Sequence, residues 1–237
     1  MVKVVRYLNN EHHWFPTPEE ALAEPNGLLA IGGDLSPERL MQAYRKGIFP
    51  WFNPDEPILW WSPDPRAVFQ VANHRPSRSL KRSMRRMGWR LTLNHHFAGV
   101  IDGCASPRTK QEGTWISPQM RAGYLELHRL GQAHSVEVWH NGTLVGGLYG
   151  VLVGGLFCGE SMFHRQSDAS KAAFWALNHH LRSCNIQWID AQVPNEHLTN
   201  LGSESLSRDA FLQLLTGCRD QRVDPVRWQP QEINLDV

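Results

Sequence analysis

Three polar residues have types and spacings that suit chemistry. In the run Ile186-Gln187-Trp188-Ile189-Asp190-Ala191-Gln192-Val193, the composition predicts a strand, on which side chains two apart leave from one face. Asp190 and Gln192 then point the same way, roughly 7 Å apart along the backbone, with Trp188 beside them and Ala191 facing away. A carboxylate and an amide then share one face near a strand end. The plainer alternative is a solvated sheet face, since such alternation is ordinary in half-exposed sheets. The third residue is Glu160, in Gly159-Glu160-Ser161-Met162-Phe163. A carboxylate set among Phe157, Met162 and glycines must find a cation or a donor, and it is either a satisfied structural acid or a working one.

Aromatic and basic residues supply a second signal. The chain has 10 tryptophans in 237 residues, and Trp51, Trp60, Trp61 and Trp115 lie in Pro- and Gly-rich segments rather than at periodic core positions. Indoles so placed can stack on bases, although most tryptophans are packing residues. Between Asp64 and Asp102 there is no acidic residue, while Arg66, Arg75, Arg78, Lys81, Arg82, Arg85, Arg86 and Arg90 all fall there. A net charge of +1 excludes a protein that coats nucleic acid over its whole surface. A local basic patch suits phosphate contact; a solvated helix face is the bland alternative.

Metal and redox chemistry are not expected. The 12 histidines include the adjacent pairs His12-His13, His95-His96 and His179-His180, which cannot share a helix face as an HExxH pair does. Cys104, Cys158, Cys184 and Cys218 are widely spaced and never form CxxC, so neither disulfides nor a zinc site is expected. No apolar run is long enough to cross a bilayer, and a cytoplasmic location is expected.

The elements that must position these residues are legible in outline. Thr17-Pro18-Glu19-Glu20 reads as a short capped helix, and Ser36-Pro37-Glu38 starts another that carries Leu40 and Tyr44 and stops at Gly47. Pro54, Pro57, Pro63 and Pro65 break long elements, and Ser62-Pro63-Asp64-Pro65 reads as a connector. We draw a boundary there, between a small unit at residues 1–62 and a larger one at 63–237. Ser77 to Met87 fits a helix with Arg78, Arg82 and Arg85 on one face and Leu80, Met84 and Met87 on another. A helix from about Pro118 to Leu130 follows. Ser135 to Trp139, Leu144 to Val153 and Leu156 to Phe163, joined by Asn141-Gly142 and Gly154-Gly155, predict a three-stranded antiparallel meander. A helix from Ala169 to Arg182, with Phe174, Leu177 and Leu181 inward, leads to the Asp190 strand. Meander, helix, strand is the core order of the fold shared by N-acetyltransferases.

Several segments together resemble the leucyl/phenylalanyl-tRNA-protein transferase family. They are Glu24-Pro25-Asn26-Gly27-Leu28-Leu29-Ala30, Gly32-Gly33-Asp34-Leu35-Ser36, Gly47-Ile48-Phe49-Pro50-Trp51-Phe52, Trp60-Trp61-Ser62-Pro63-Asp64-Pro65-Arg66, Gly113-Thr114-Trp115-Ile116, Phe157-Cys158-Gly159-Glu160-Ser161-Met162-Phe163 and Ile189-Asp190-Ala191-Gln192. They span nearly the whole chain in family order. Ala191 stands where Cys is frequent, and Pro107 to Gln111 looks slightly longer than usual.

The resemblance implies an α+β architecture: a small N-terminal α/β domain packed on a C-terminal acetyltransferase-like (GNAT-like) domain with an antiparallel-rich mixed sheet. It implies transfer of leucine or phenylalanine, less readily methionine, from aminoacyl-tRNA to the α-amino group of proteins with N-terminal Arg or Lys. The partners would be leucyl-tRNA, phenylalanyl-tRNA and those acceptors, with modified proteins passing to degradation. Trp51 and Trp115, with Tyr44 and Ser161, would hold the aminoacyl-adenosine. Phe157, Met162, Leu148, Ile189, Leu181 and Gly159 would form the side-chain pocket, and Arg78, Lys81, Arg82, Arg85 and Arg86 would grip tRNA phosphates. No metal, cofactor or coenzyme A is implied. The stretch Arg165-Gln166-Ser167-Asp168-Ala169-Ser170 lacks the glycines of a pyrophosphate loop, which argues against an ordinary acetyltransferase. An RNA-binding module and a peptidoglycan-bridge transferase are the other rivals.

In the family Gln192 is assigned to draw the amine's proton, with Asp190 hydrogen-bonded behind it. A neutral amide is a poor base. We therefore expect Gln192 to orient the nucleophile while the proton leaves through the ribose hydroxyl or water. Glu160 would anchor a cationic end of the substrate or acceptor.

Overall fold

A computed structural model of the chain describes residues 3–106 and 116–235. Trp115 and the Pro107 to Gln111 segment lie outside the described residues. The first part of the chain builds a four-stranded sheet from β1 (Arg6–Leu8), β2 (Leu28–Gly32), β3 (Phe49–Pro50) and β4 (Leu59–Trp61), in the order β1-β2-β4-β3. Thr17 starts a short 3-10 turn over Pro18–Glu20, closed by the predicted capping box. Helix α1 (Pro37–Arg45) begins where Ser36 accepts from the Arg39 amide and ends before Gly47, whose φ of +74° suits glycine.

The second sheet has eight strands, in the order β11-β5-β10-β9-β8-β7-β6-β12. They are β5 (Arg66–Gln70), β6 (Arg90–Leu93), β7 (Ala133–His140), β8 (Thr143–Val153), β9 (Leu156–His164), β10 (Trp188–Gln192), β11 (Glu204–Leu206) and β12 (Gln231–Glu232). Its pairings are antiparallel except that β10 runs parallel to β9. The expected meander is β7-β8-β9. At its first turn Asn141 and Gly142 have φ of +50° and +76°, the signs a type I′ hairpin needs.

Helices α2 (Arg78–Met87) and α5 (Ala169–Ser183) cover one face, where Leu80, Met84, Phe174 and Leu177 pack with Leu148, Phe157 and Ile189. On the other face α3 (Phe97–Ala105), α4 (Pro118–Arg129) and the N-terminal sheet share a core that contains Leu40, Tyr44, Trp60, Tyr124 and Tyr149. Helices α6 (Glu196–Asn200) and α7 (Arg208–Cys218) follow β10 and β11. The chain is thus mixed α/β, and the small sheet is welded to the large one by apolar contact. Among the described residues no helix is long and apolar enough to cross a membrane.

The register of β9 and β10 positions the site. Their parallel pairing runs from Leu156/Trp188 to Cys158/Asp190 and stops there, while β9 continues to His164. Each strand carries a bulge where they part. Against β8, Gly159 and Ser161 pair with Gly150 and Tyr149, leaving Glu160 as the extra residue; against β5, Asp190 and Gln192 pair with Val68 and Ala67, leaving Ala191 as the extra one. Bulges bend a strand and re-aim its side chains.

Candidate active site

The strand expected over Ile186 to Val193 forms over Trp188–Gln192, and its bulge breaks the expected alternation. Asp190 turns into the core, with 1% of its surface exposed. Arg66 Nε and Nη2 donate to its Oδ1 and Oδ2 at 2.8 and 2.7 Å. The guanidinium is held between the Phe49 and Phe211 rings, 4.8 and 4.4 Å from their centroids, and donates to the Gly47 carbonyl at 3.1 Å. Gln192 takes the other direction, with φ of +64°. Its backbone N–H donates to Asp190 Oδ1 at 2.9 Å, so the buried ion pair pins a strained backbone that aims the amide outward. The same-face expectation for the pair is thereby corrected. Ala191, expected to face away, lines the cleft with Gln192.

That cleft has a volume of about 420 Å³, within the range of roughly 300–1,000 Å³ usual for small-molecule sites. Its apolar floor includes Leu148, Phe157, Met162, Phe174, Leu177 and Ile189. Gly150 makes room for this floor, since a Cβ there would lie 2.5 Å from the Phe157 ring. Phe49, Pro50 and Trp51 bring the N-terminal sheet to the rim, and Gly159, Glu160, Ser161, Gln192, Asn195 and His197 add polar groups. Trp51 is 47% exposed and leans on Trp61 at 5.9 Å between centroids. Trp60, by contrast, is buried and donates to the Gly32 carbonyl at 2.8 Å.

Glu160 is the one acidic residue of the lining among the described residues. Its Oε1 accepts from Gln192 Nε2 at 2.8 Å and its Oε2 from the Tyr124 hydroxyl at 2.6 Å. The Tyr44 hydroxyl lies 2.6 Å from that of Tyr124. The carboxylate thus meets the expectation of a polar partner with N–H and O–H donors. Burial pushes its pKa up to about 7, helped by the nearby Asp190 charge and opposed by the hydrogen bonds from Tyr124, Tyr44 and Gln192. Burial also holds the Tyr44, Tyr124 and Tyr149 phenols well above their usual range, with the Glu160 charge adding to it.

Sequence comparison fits this geometry. Residues 68–216 match the family described as "Leucyl/phenylalanyl-tRNA protein transferase", and residues 33–64 match its N-terminal domain. A protein from Shewanella sp. (strain ANA-3), named "Leucyl/phenylalanyl-tRNA--protein transferase", is 56% identical over 231 residues, 98% of each chain. The chain belongs to the leucyl/phenylalanyl-tRNA protein transferase family. As a member it is an aminoacyltransferase. A relative of the same name from Shewanella sp. (strain W3-18-1) is 54% identical over 236 residues, 100% of each chain. Among solved structures, "The structure of L-PGS from Bacillus licheniformis" aligns at a TM-score of 0.39 with 11% identity, over 70% of this chain and 53% of the other.

Within this family member, the expected residues divide into three groups. Trp51, Ser161, Phe157, Met162, Leu148, Ile189, Gly159, Glu160 and Gln192 line one cleft. Tyr44, Leu181 and Asp190 are not in that lining, and each is at most 1% exposed. Tyr44 sits behind Glu160, and Leu181 lies one helical turn past Leu177 in the core of α5. Arg78, Lys81, Arg82, Arg85 and Arg86 gather at a separate basic depression, on a helix whose Leu80 and Met84 are buried. Sequence reasoning missed Arg66, Tyr124, Phe49, Phe174, Asn195 and His197 as site residues. Arg66 offered a signal, because a cation in a stretch otherwise rich in Pro and aromatics must find a carboxylate if it is buried. Tyr124 offered none beyond its helical position.

Proposed function

We propose that the cleft receives the aminoacyl end of leucyl- or phenylalanyl-tRNA and that the bound ester is attacked by the α-amino group of an acceptor protein. The observation that carries this reading is an apolar pocket whose lining joins the hydrogen-bonded Gln192 and Glu160 with an exposed Trp51. Phe157, Met162, Leu148 and Ile189, beside Gly159, are the walls for the side chain, which favour unbranched and aromatic groups and crowd a β-branched one. Methionine is the weaker substrate. Trp51 stacks on the terminal adenosine, and Ser161 lies within the same lining; Trp115 is kept as the second indole, on the resemblance alone. Tyr44 acts through Glu160. The basic face of α2 is the seat for phosphates, which orient the tRNA without reading its sequence.

The reaction asks little of the protein beyond orientation, because an aminoacyl ester is already activated. Gln192 holds the nucleophile, and Asp190, itself fixed by Arg66, holds the Gln192 backbone. Glu160 provides a negative charge for the acceptor's cationic end, in keeping with a preference for N-terminal Arg or Lys. We keep the division at residues 62 and 63 and the GNAT-like description of the larger unit. Coenzyme A is not part of the reading. In support, the start of α5 is occupied by the Asp168 carboxylate, which accepts from Ser83 at 3.2 Å and Lys171 at 2.9 Å and would repel a pyrophosphate. A cytoplasmic setting and a role ahead of protein degradation follow from the same family reading.

The test is transfer of labelled leucine from purified charged tRNA to a peptide with N-terminal arginine. The native protein should transfer, and Gln192→Ala should lower kcat/KM by roughly 100-fold or more, the loss expected when a hydrogen-bonding group that acts in the transition state is removed. No transfer by the native protein to any N-terminal residue would overturn the reading and leave an RNA-binding role for the basic helix and the indoles.

A further inference from the structure

Asp190 and Glu160 are one strand apart, yet they meet the cleft differently. Both oxygens of Asp190 are engaged by Arg66, and the residue is closed off from the cleft. Glu160 is the extra residue of the β9 bulge and stands in the lining. The groups that face it are Tyr44 from α1, Tyr124 from α4, Tyr149 from β8, and Asp190 and Gln192 from β10, with Cys158 on its own strand. None is a cation. The amide of Gln192 turns its Nε2 to Glu160, which leaves its Oε1 to accept an N–H from a group in the cleft.

We propose that Glu160, not Asp190, takes the first proton of the acceptor's α-ammonium, with Gln192 holding the nitrogen against the ester and the paired phenols of Tyr124 and Tyr44 supporting the carboxylate charge. The inference rests on the transfer reading above. An α-amino group has a pKa of about 7.7–8.0, so near neutrality most acceptors arrive as an ammonium that has no lone pair to attack with. The proton balance closes with groups already named. The ammonium gives one proton to the Glu160 carboxylate and becomes an amine. Its lone pair attacks the ester carbonyl, the C–N bond forms and the bond to the ribose oxygen breaks. The nitrogen's second proton goes to that oxygen, which leaves as a hydroxyl. Glu160 returns its proton to water after the product departs. Burial matches donor and acceptor: a carboxyl held near 7 exchanges a proton with an amine of similar pKa at little cost, which is the condition for efficient acid-base catalysis. The Tyr124 hydrogen bond tunes this match, since it holds Glu160 lower than burial alone would.

The experiment is single-turnover transfer from charged tRNA to an arginine-ending peptide across pH 6–8.5, comparing the native protein, Glu160→Gln and Tyr124→Phe. The native rate should fall on the acid side with a midpoint near 7. Glu160→Gln should be slower by about 100-fold or more at pH 7, with its midpoint moved up to the amine's own value near 8 and little change in the concentration of charged tRNA that half-saturates it. Tyr124→Phe should also move the midpoint upward, because it removes a donor to the carboxylate, while keeping most of the plateau rate. An acid limb left unmoved in both variants overturns the proposal. If Glu160→Gln gives no measurable rate, the limb of Tyr124→Phe decides alone. Native protein that transfers leucine while both variants keep its limb sinks this inference only; native protein that transfers nothing sinks the function itself.

Discussion

The two sides of the bulged junction between β9 and β10 hold one carboxylate each, Asp190 buried and Glu160 half-buried, and they solve the cost of desolvation in opposite ways. On the β10 side Asp190 has a cation, Arg66, clamped by two aromatic rings. On the β9 side Glu160 has only neutral donors among the described residues. A paired charge fixes geometry and has no capacity left over, whereas an unpaired one keeps its affinity for a proton or a cation. The same strand junction therefore contains an anchor and a reactive group. A third carboxylate shows that burial without a cation is not enough to make a reactive group. Glu137, buried on β7, also has no cationic partner among the described residues and accepts from Ser135, Thr92 and the backbone N–H groups of His95 and His96. Burial raises its pKa as well. It is not in the lining of the Glu160 cleft, and its bonds to the His95 and His96 amides hold the turn into α3.

The comparison breaks most visibly if the anchor is cut. Asp190→Ala leaves the Arg66 guanidinium buried without its partner, and such a loss costs about 3–5 kcal/mol. The midpoint of urea unfolding should drop accordingly, and transfer per folded molecule should fall, through the misplaced Gln192, by no more than Gln192→Ala lowers it. An unchanged midpoint would mean that the ion pair is not what pins the bulge.

Next in size is Glu137→Ala. It strands two backbone N–H groups near the start of α3, at about 1–3 kcal/mol in total after local relaxation. Its predicted signature is lower stability with an unaltered rate per folded molecule. A rate that falls in step with that of Glu160 variants would erase the distinction between the two cation-free acids.

The contrast also explains what the sequence does and does not disclose. Elements set by local chemistry are legible: the Ser36 cap accepts from the Arg39 amide as expected, and Asn141-Gly142 turns the meander where its φ preferences require. The junction is not legible, because a bulge is a property of pairing. Nothing within Gly159-Glu160-Ser161 or Asp190-Ala191-Gln192 states that β8 and β5 will skip a residue there, and one skipped residue sends a side chain to the opposite face. For the same reason Leu181 is expected in a pocket that Leu177 lines instead; periodicity gives the inward face of α5 but not which turn of it meets the cleft. The Tyr44–Tyr124 pair joins residues 80 apart on α1 and α4, a contact that only the packed core creates.

Glu160→Gln should act with the opposite sign on stability. The native carboxyl titrates at about 7 against an ordinary value of 4.5, so the folded state binds the proton more tightly than the unfolded one. The stability this contributes is complete below about pH 4.5 and is lost as pH rises through 7. The glutamine variant has no charge to bury and escapes that loss. At pH 8 it should be more stable than the native protein by about 1–2 kcal/mol, discounted for the solvent that reaches the cleft, and the two should converge near pH 4.5. Chemical denaturation at both values reads this out. A variant that is less stable at pH 8 would make Glu160 a structural acid like Glu137.

The smallest effect on stability belongs to the region farthest in character from the junction, the basic face of α2. Arg82 and Arg85 are exposed and make no ion pair among the described residues, so replacing both by glutamine should change unfolding by no more than about 0.5 kcal/mol, as for surface changes away from special features. Their effect should appear in the salt dependence of tRNA binding instead. Removing one cation from a phosphate flattens the slope of log K against log salt by about 0.7–0.9, so the double variant should lose roughly 1.5 from that slope while the acid limb of transfer stays where Glu160 sets it. A slope left intact would remove α2 from the tRNA path, and a displaced limb would mean that docking, rather than the carboxylate in the cleft, governs the proton.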